Sequence, residues 1–328
     1  VRKILLIQTA FIGDAILATS LIESIHTAYK GACEISIVVR KGNESLLQNH
    51  PKLNAVYVWN KKEKKYRHLL RLIHQLRQIH FDAVYNLQRF GSTGFMTWRL
   101  RAKIKVGYAE NPFSTTYTRR YKHVLDGSHE VTRNFGLVRA DLPADAQLIN
   151  PRLYPSQKDE DFVNQKINTT EPYIVLAPAS VWYTKQWPKH KWIELINSLD
   201  SHLKVYLIGA PSDNDLIAEI MDLASHNRLT NFAGVFSLLQ SAHLMKNAAH
   251  VFVNDSAPLH LASSVNAKVT AFFCSTVPSF GFGPLSEHAT IAETVLKLDC
   301  RPCGLHGHKA CPKGHFKCAE SISIPKFD

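Results

Sequence analysis

Asp14, Lys185 and the run Asn254-Asp255-Ser256-Ala257-Pro258-Leu259-His260 are where residue type and spacing point to chemistry in this 328-residue chain. Asp14 ends the segment Thr9-Ala10-Phe11-Ile12-Gly13-Asp14, which directly follows the apolar run Lys3–Ile7. In an open α/β sheet, ligands bind beyond the carboxyl ends of the strands. Gly13 is expected to let the backbone turn tightly there, with Asp14 where a helix begins. Either Asp14 faces a ligand or it caps that helix, and spacing alone favours the cap. No G-x-G-x-x-G occurs at this point, so a dinucleotide fingerprint is absent.

A second constellation runs from Ala177-Pro178-Ala179-Ser180 to Thr184-Lys185-Gln186-Trp187-Pro188. It lies after an expected strand and before an expected helix, with Pro188 at the first helical position. Ser180 and Lys185 are placed to meet phosphate oxygens, the lysine as a mobile point charge. An exposed lysine ahead of a helix explains the same residues. In the run around Asp255, small residues at a helix N-terminus leave backbone N–H groups free to hold a diphosphate. His260, on the first helical turn, reaches the same space. An ordinary capped turn with a packed histidine is the alternative.

A fourth constellation is Cys300-x2-Cys303-x7-Cys311-x6-Cys318, interleaved with His306, His308 and His315. Thiolates and imidazoles suit zinc, but this spacing matches no standard zinc module. Packed or free thiols are the favoured reading, with a structural metal as the weaker one. Cys33 and Cys274 lie in apolar runs and read as core residues.

The elements that must position these residues alternate. Strands are expected at Lys3–Ile7, Glu34–Val39, Ala55–Val58, Asp82–Leu87 and Ile104–Tyr108, the last closing the first half. Helices are expected at Ala15–Tyr29 and Arg67–Ile79. Pro143, Pro151 and Pro155 break the periodicity over Asp141–Lys158, which is where a linker is expected. The alternation then restarts with strands at Tyr173–Ala177, Lys204–Ile208, His250–Val253 and Lys268–Phe273. Helices fall at Lys189–Leu199, Asp213–Ala224 and Leu238–Ala248. The fold class is therefore α/β, as two doubly wound domains, 1–150 and 151–328, facing a cleft.

Residues 1–150 hold 23 Lys and Arg against 11 Asp and Glu, whereas 151–328 hold 16 of each. The whole excess charge of +12 thus sits in the first half. That half is expected to meet something anionic: a phosphorylated lipid, a membrane surface or a nucleic acid. A solvated basic surface is the plainer reading. No apolar run of 18 or more residues appears, so no helix is expected to span a membrane. Val1–Ile7 is too short for a signal peptide. A cytoplasmic protein is expected.

Taken in order, these residues resemble the ADP-heptose:lipopolysaccharide heptosyltransferase family. The shared marks are the Ile-Gly-Asp turn after a strand, His129-Glu130-Val131-x2-Asn134, Lys185-Gln186-Trp187-Pro188, Asn231-Phe232-Ala233-Gly234, the run Asn254–His260 and Cys300-Arg301-Pro302-Cys303. Each is weak alone, but the ordered set covers nearly the whole chain.

The resemblance implies a GT-B architecture of two Rossmann-like domains, acceptor on the first and nucleotide sugar on the second. It implies an inverting transfer of heptose from an ADP-sugar donor to the lipopolysaccharide inner core, with no cofactor required. Asp14 matches the family's catalytic base, and Lys185 the lysine that steadies the leaving diphosphate. Asp255, Ser256, Ala257 and His260 match the diphosphate loop, and Ser180 a further phosphate contact. Asp213 matches an acidic residue facing the ribose, and Phe236 an apolar cover for the adenine.

The acceptor side is assigned to Thr9, Gly13, Lys61, Lys62, Lys64, Arg89, Arg120 and Arg133, which would meet an anionic lipid-linked saccharide. Peripheral contact with the inner membrane follows from the same charge. Two positions depart from the family pattern: Gln8 stands where many members have a basic residue, and Ala257 where many have glycine. A C-terminal helix returning to the first domain is expected to be short or missing. The competing readings are a GT-B transferase with a different nucleotide sugar and a basic nucleic-acid-binding protein. No helix-turn-helix, RNA-recognition or zinc-finger pattern supports the second.

Overall fold

Ile4–Ile7, Val251–Asn254 and Val269–Phe273 are buried without alternation. Strands apolar on both faces need helices over both faces, and a parallel sheet is what βα crossovers deliver. The computed structural model, which describes residues 1–167 and 170–325, has this arrangement twice. The chain divides into two units, Val1–Tyr154 and Pro155–Asp328.

In chain order the first unit comprises β1 (Arg2–Ile7), α1 (Ile12–Ala28), β2 (Cys33–Arg40), β3 (Ala55–Trp59), α2 (Lys65–Leu76) and β4 (Phe81–Asn86). It continues with α3 (Gly91–Arg99), β5 (Ala102–Tyr108), β6 (Arg119–Tyr121) and α4 (Glu130–Val138). The sheet is parallel in the order β3-β2-β1-β4-β5-β6. The second unit holds α5 (Gln157–Lys166), β7 (Tyr173–Ala177), α6 (Lys189–Ser198), β8 (Lys204–Leu207), α7 (Asn214–Leu223) and β9 (Leu229–Asn231). Then follow α8 (Leu238–Lys246), β10 (His250–Asn254), α9 (Ala257–Ser264), β11 (Val269–Phe273), β12 (Ala289–Glu293) and α10 (Lys317–Glu320). Its order is β12-β11-β10-β7-β8-β9. In each unit the chain starts mid-sheet, builds outward, then returns to build the other way. The strand order therefore reverses between β1 and β4, and between β7 and β10.

Three sequence expectations are corrected. The first sheet does not close at Tyr108, because β6 adds an edge strand three residues long; so short a strand carries no periodic signal. Gly13 is no turn and Asp14 no cap: α1 already starts at Ile12 with Phe11 as its N-cap, so both lie in the first helical turn. The linker expected over Asp141–Lys158 does contain the change of unit, but its first part is fastened to the first unit. Ser20 Oγ donates to the Ile149 carbonyl (2.5 Å), the Ile149 N–H to Ser24 Oγ (2.9 Å) and the Arg152 N–H to Thr19 Oγ1 (3.0 Å), fastening 149–154 along α1. Just beyond, Ser156 and Asp159 form a capping box that opens α5. These bonds put the change of unit at Tyr154–Pro155 instead of 150–151. The tail folds into the second unit's own core, where Phe316, Cys318, Ala319 and Ile322 pack with Trp187, Trp192 and Phe272.

The same covering segment explains why α1 is buried all round from Ala15 to Ile25, Glu23 included. Glu23 receives Lys52 Nζ at 2.5 Å and the Tyr154 hydroxyl at 2.7 Å, and His50 Nε2 lies 3.4 Å away. Burial pushes the His50 pKa down to about 4, against the pull of Glu23. The imidazole is therefore neutral at pH 7, and Lys52 is the ionic partner. Unfolded, the same imidazole titrates near 6.5, so between about pH 4 and 6.5 the unfolded chain binds the extra proton and stability rises with pH. His50 should thus cost about 3 kcal/mol as the pH falls through that window. Thermal melts from pH 7 to 4.5 should show a shallower acid loss in His50→Gln than in the native chain; parallel curves would remove His50 as a cause.

Candidate active site

In doubly wound sheets the loops at the strand-order reversal diverge and leave a crevice at the carboxyl edge. At the first unit's reversal stand the loops after β1 and β4. Gln8 Oε1 accepts from Gln88 Nε2 (2.5 Å) and from the Ala10 N–H (3.2 Å), tying one loop to the other. Asn86 Oδ1 accepts the Gln88 N–H (3.0 Å), and Asn111 Nδ2 donates to the Gln88 and Phe90 carbonyls (3.1 and 3.0 Å). Asn43 Nδ2 donates to the Ala10 carbonyl (3.2 Å). These buried amides replace the pairing that backbone lacks outside the sheet. They fix the start of α1 and with it Asp14, which is half-buried in the first turn, where helix N–H dipoles favour a carboxylate.

Lys61 comes in from the end of β3. Its Nζ donates to the Thr9 carbonyl at 2.6 Å and lies 4.7 Å from the centre of the Trp59 ring. Burial, then the neighbouring charges of Arg40 and Lys65, lower its pKa to about 8. Arg40, at the end of β2, rests over the Phe11 ring at 5.1 Å. Thr9, Gly13, Asp14 and Lys61 are thus brought together, with Arg40 as a neighbour that the sequence did not mark.

The other acceptor-side candidates fall elsewhere. Lys62, Lys64 and Arg89 are exposed on loops and Arg120 on the edge strand β6. Arg133 is committed to structure: its guanidinium bonds Glu130 Oε2 (Nε 3.0 Å, Nη2 2.9 Å) and the Ser128 carbonyl (2.5 Å). Its place on α4, beside a buried carboxylate, draws it inward. Arg119, from the same basic run as Arg120, pairs with Asp141.

The second unit repeats the device. Asn254, fully buried at the end of β10, donates Nδ2 to the Pro178 carbonyl (2.8 Å) and accepts the Trp187 N–H (2.9 Å), joining the loops after β7 and β10. Beside it Lys185 Nζ meets Asp255 Oδ2 at 2.7 Å, with only 15% and 6% of the two side chains exposed. The same oxygen accepts from Thr276 Oγ1 (2.6 Å). Ser256 is the N-cap of α9 in extended backbone, and Ala257 is the first helical residue. An alanine is at ease there, so Ala257 imposes no backbone strain. His260, 5% exposed, follows on the first turn, with its ring 6.4 Å from that of Phe282.

Ser180 lies on the same loop, its carbonyl bonded by Gln186 Nε2 (2.7 Å). Asp213 accepts the Ala210 N–H at 2.8 Å and so caps its own turn after β8. Phe236 packs on Phe232 and Phe162.

Thr184, next to Lys185, is held by the cysteine-rich tail. Its Oγ1 accepts from the His308 N–H (2.7 Å) and from Ser275 Oγ (3.0 Å), and its own N–H reaches the His308 carbonyl (3.1 Å). Gly307 has φ +76°, and a Cβ there would sit 2.9 Å from Thr184 Oγ1 and 3.3 Å from Lys185 Cγ. The tail therefore acts as a strap over the lysine loop, a role no spacing rule reveals. All six cysteines are free thiols. Cys318 is in the core, Cys300 Sγ lies 3.9 Å from His315 Nε2, and among the described residues no three or more His, Cys, Asp or Glu are grouped to hold a metal ion.

The chain is similar to known proteins. Residues 69–312, most of the chain, match the family described as glycosyltransferase family 9 (heptosyltransferase). The lipopolysaccharide core heptosyltransferase OpsX of Haemophilus influenzae is 24% identical over 83% of this chain and 79% of its own. Among solved structures, E. coli ADP-heptose lps heptosyltransferase II superposes with a TM-score of 0.77 at 22% identity, covering 92% of this chain and 95% of that one. The E. coli heptosyltransferase WaaC with ADP gives 0.73 at 18% identity, over 88% and 92%. The fold of each unit is thus the Rossmann-like half of a GT-B enzyme, and the chain belongs to glycosyltransferase family 9, the heptosyltransferases.

Proposed function

We propose that the chain moves heptose from ADP-heptose to the inner core of a lipopolysaccharide precursor, with inversion. The observation that carries the donor half is the Lys185–Asp255 pair beside the N-terminus of α9, at the strand-order reversal of the second unit. A buried ammonium next to free helix N–H groups suits a diphosphate. Residues 151–328 would bind the nucleotide sugar through Ser180, Asp213, Phe236, Asp255, Ser256, Ala257 and His260. Residues 1–150 would bind the acceptor, with Thr9, Gly13 and Lys61 nearest the reacting hydroxyl. Lys62, Lys64, Arg89 and Arg120 would draw in its anionic groups.

In this reading Asp14 takes the proton of the acceptor hydroxyl as that oxygen attacks the anomeric carbon from the face opposite the ADP. The bond to the diphosphate oxygen breaks, and Lys185 and the α9 N-terminus receive its charge. No metal ion is called on. The anionic acceptor is lipid-linked, so the protein would work at the inner membrane's cytoplasmic face, in peripheral contact with it. No helix among the described residues is long and apolar enough to cross a membrane.

Calorimetric titration with ADP, UDP and GDP, followed by a transfer assay with ADP-heptose, tests the assignment. Selective ADP binding with heptose transfer supports it. A preference for UDP or GDP would move the chain to another nucleotide sugar.

The strap adds a second test. Gly307→Ala forces a side chain into left-handed backbone at roughly 1–2 kcal/mol and against Thr184. If the lysine loop absorbs this, ADP affinity should fall on the order of ten-fold. An unchanged affinity in a folded variant would separate the strap from the donor site.

A further inference from the structure

α2 turns Leu69, Leu72, Ile73 and Leu76 into the first unit's core but leaves Tyr66 and Leu70 outside, 69% and 57% exposed. On the neighbouring α3, Trp98 is 43% exposed and stacks on Phe113, with ring centres 6.0 Å apart. Phe95 closes this group, 5.8 Å from Trp98 and 5.9 Å from Phe113. Shallow grooves run through the patch, and all three share Leu70. A cluster of outward aromatic and aliphatic side chains on a water-facing helix pair marks an interaction surface.

The charge around the patch has one sign. Arg67, Arg71, Arg77, Arg99 and Arg101 line the grooves, and no acidic residue does. From Lys64 to Phe81 the chain contains no Asp or Glu at all. The next carboxylate, Asp82, is bound to Lys103 Nζ at 2.7 Å. None of the five arginines belongs to the candidate site.

We propose that this α2–α3 face docks on the surface of an anionic lipid bilayer, with Tyr66, Leu70 and Trp98 entering the headgroup layer and the arginines pairing with lipid phosphates. Apolar side chains on one helix face, ringed by cations, are what interfacial binding requires. The grooves are open and shallow, which suits a deformable surface better than an enclosed small ligand. The inference extends the lipid-linked acceptor of the proposed function, but bilayer binding needs no substrate and is tested without one.

The full chain is pelleted with phosphatidylethanolamine–phosphatidylglycerol vesicles and with phosphatidylcholine vesicles. Binding is expected to the first only, and to weaken as salt is raised. Arg67→Glu/Arg71→Glu/Arg99→Glu should lower the partition coefficient at least ten-fold. Tyr66→Ser/Leu70→Ser should lower it several-fold. These positions are exposed, so melting temperature and transfer to a lipid-free acceptor oligosaccharide should stay near native. Loss of transfer in the native chain with vesicle binding intact would count against the proposed function and leave the docking face standing. Failure of the native chain to bind phosphatidylglycerol vesicles, equal binding to phosphatidylcholine, or undiminished binding by both variants would overturn the docking face. So would vesicle binding that survives the substitutions while dimerisation or DNA binding is lost.

Discussion

Asp14→Asn is expected to bind ADP as the native chain does and to lose transfer by roughly two to four orders of magnitude, the usual worth of a positioned general base. The substitution keeps size and shape, and Asn is tolerated in a first helical turn. Bonds of Gln8, Gln88 and Asn43 hold the helix start. With those bonds kept, the effect should fall on kcat with little change in donor Kd. The checks are a melting curve, ADP calorimetry and single-turnover transfer with ADP-heptose. Turnover within a few-fold of native would take the base role from Asp14.

Lys185→Ala should weaken ADP binding by roughly ten- to a hundred-fold, the range for losing a hydrogen bond to a charged group. Two effects add. The ammonium proposed to meet the diphosphate is removed, and Asp255, 5% exposed, keeps the Thr276 hydroxyl as a side-chain partner among the described residues. An uncompensated carboxylate then faces an incoming anion. This gives the lysine a distinctive signature: Asp255→Asn placed on top of Lys185→Ala should restore part of the affinity, since it removes the repulsion. Calorimetry on the two single variants and the double completes the cycle. Additive losses would show that the pair does not act as a unit, and an unaltered ADP affinity in Lys185→Ala would exclude the contact.

Long, strongly patterned elements were legible in the amino-acid order. The run Ile4–Ile7 and the strands Tyr173–Ala177 and Val269–Phe273 are continuously buried and, but for Thr270, apolar, a pattern that suits a doubly covered parallel sheet. Short edge strands were not. β6, β9 and β12 have three, three and five residues, and β12 is largely exposed, so neither period nor hydrophobicity marks them. α3 and α4 carry no clear helical period because their nine-residue segments mix Gly, Ser and Thr with apolar residues.

The amino-acid order by itself determined that this is a two-unit α/β chain with its charge excess in the first half, and that Asp14, Lys185 and Asp255 follow strand ends. Those properties are local: a strand, a turn and a charge each depend on a few neighbouring residues. The tertiary structure alone decided which charges converge. Lys61 reaches the Thr9 carbonyl across 52 positions, while Arg133, equally basic, turns inward to Glu130. Gln8 and Gln88 meet across 80 positions, and Gly307 comes to rest on Thr184 and Lys185 from the far end of the chain. Such contacts depend on strand order in the sheet, which a linear pattern does not encode, because the direction in which each crossover lays its strand is set by packing of the whole unit.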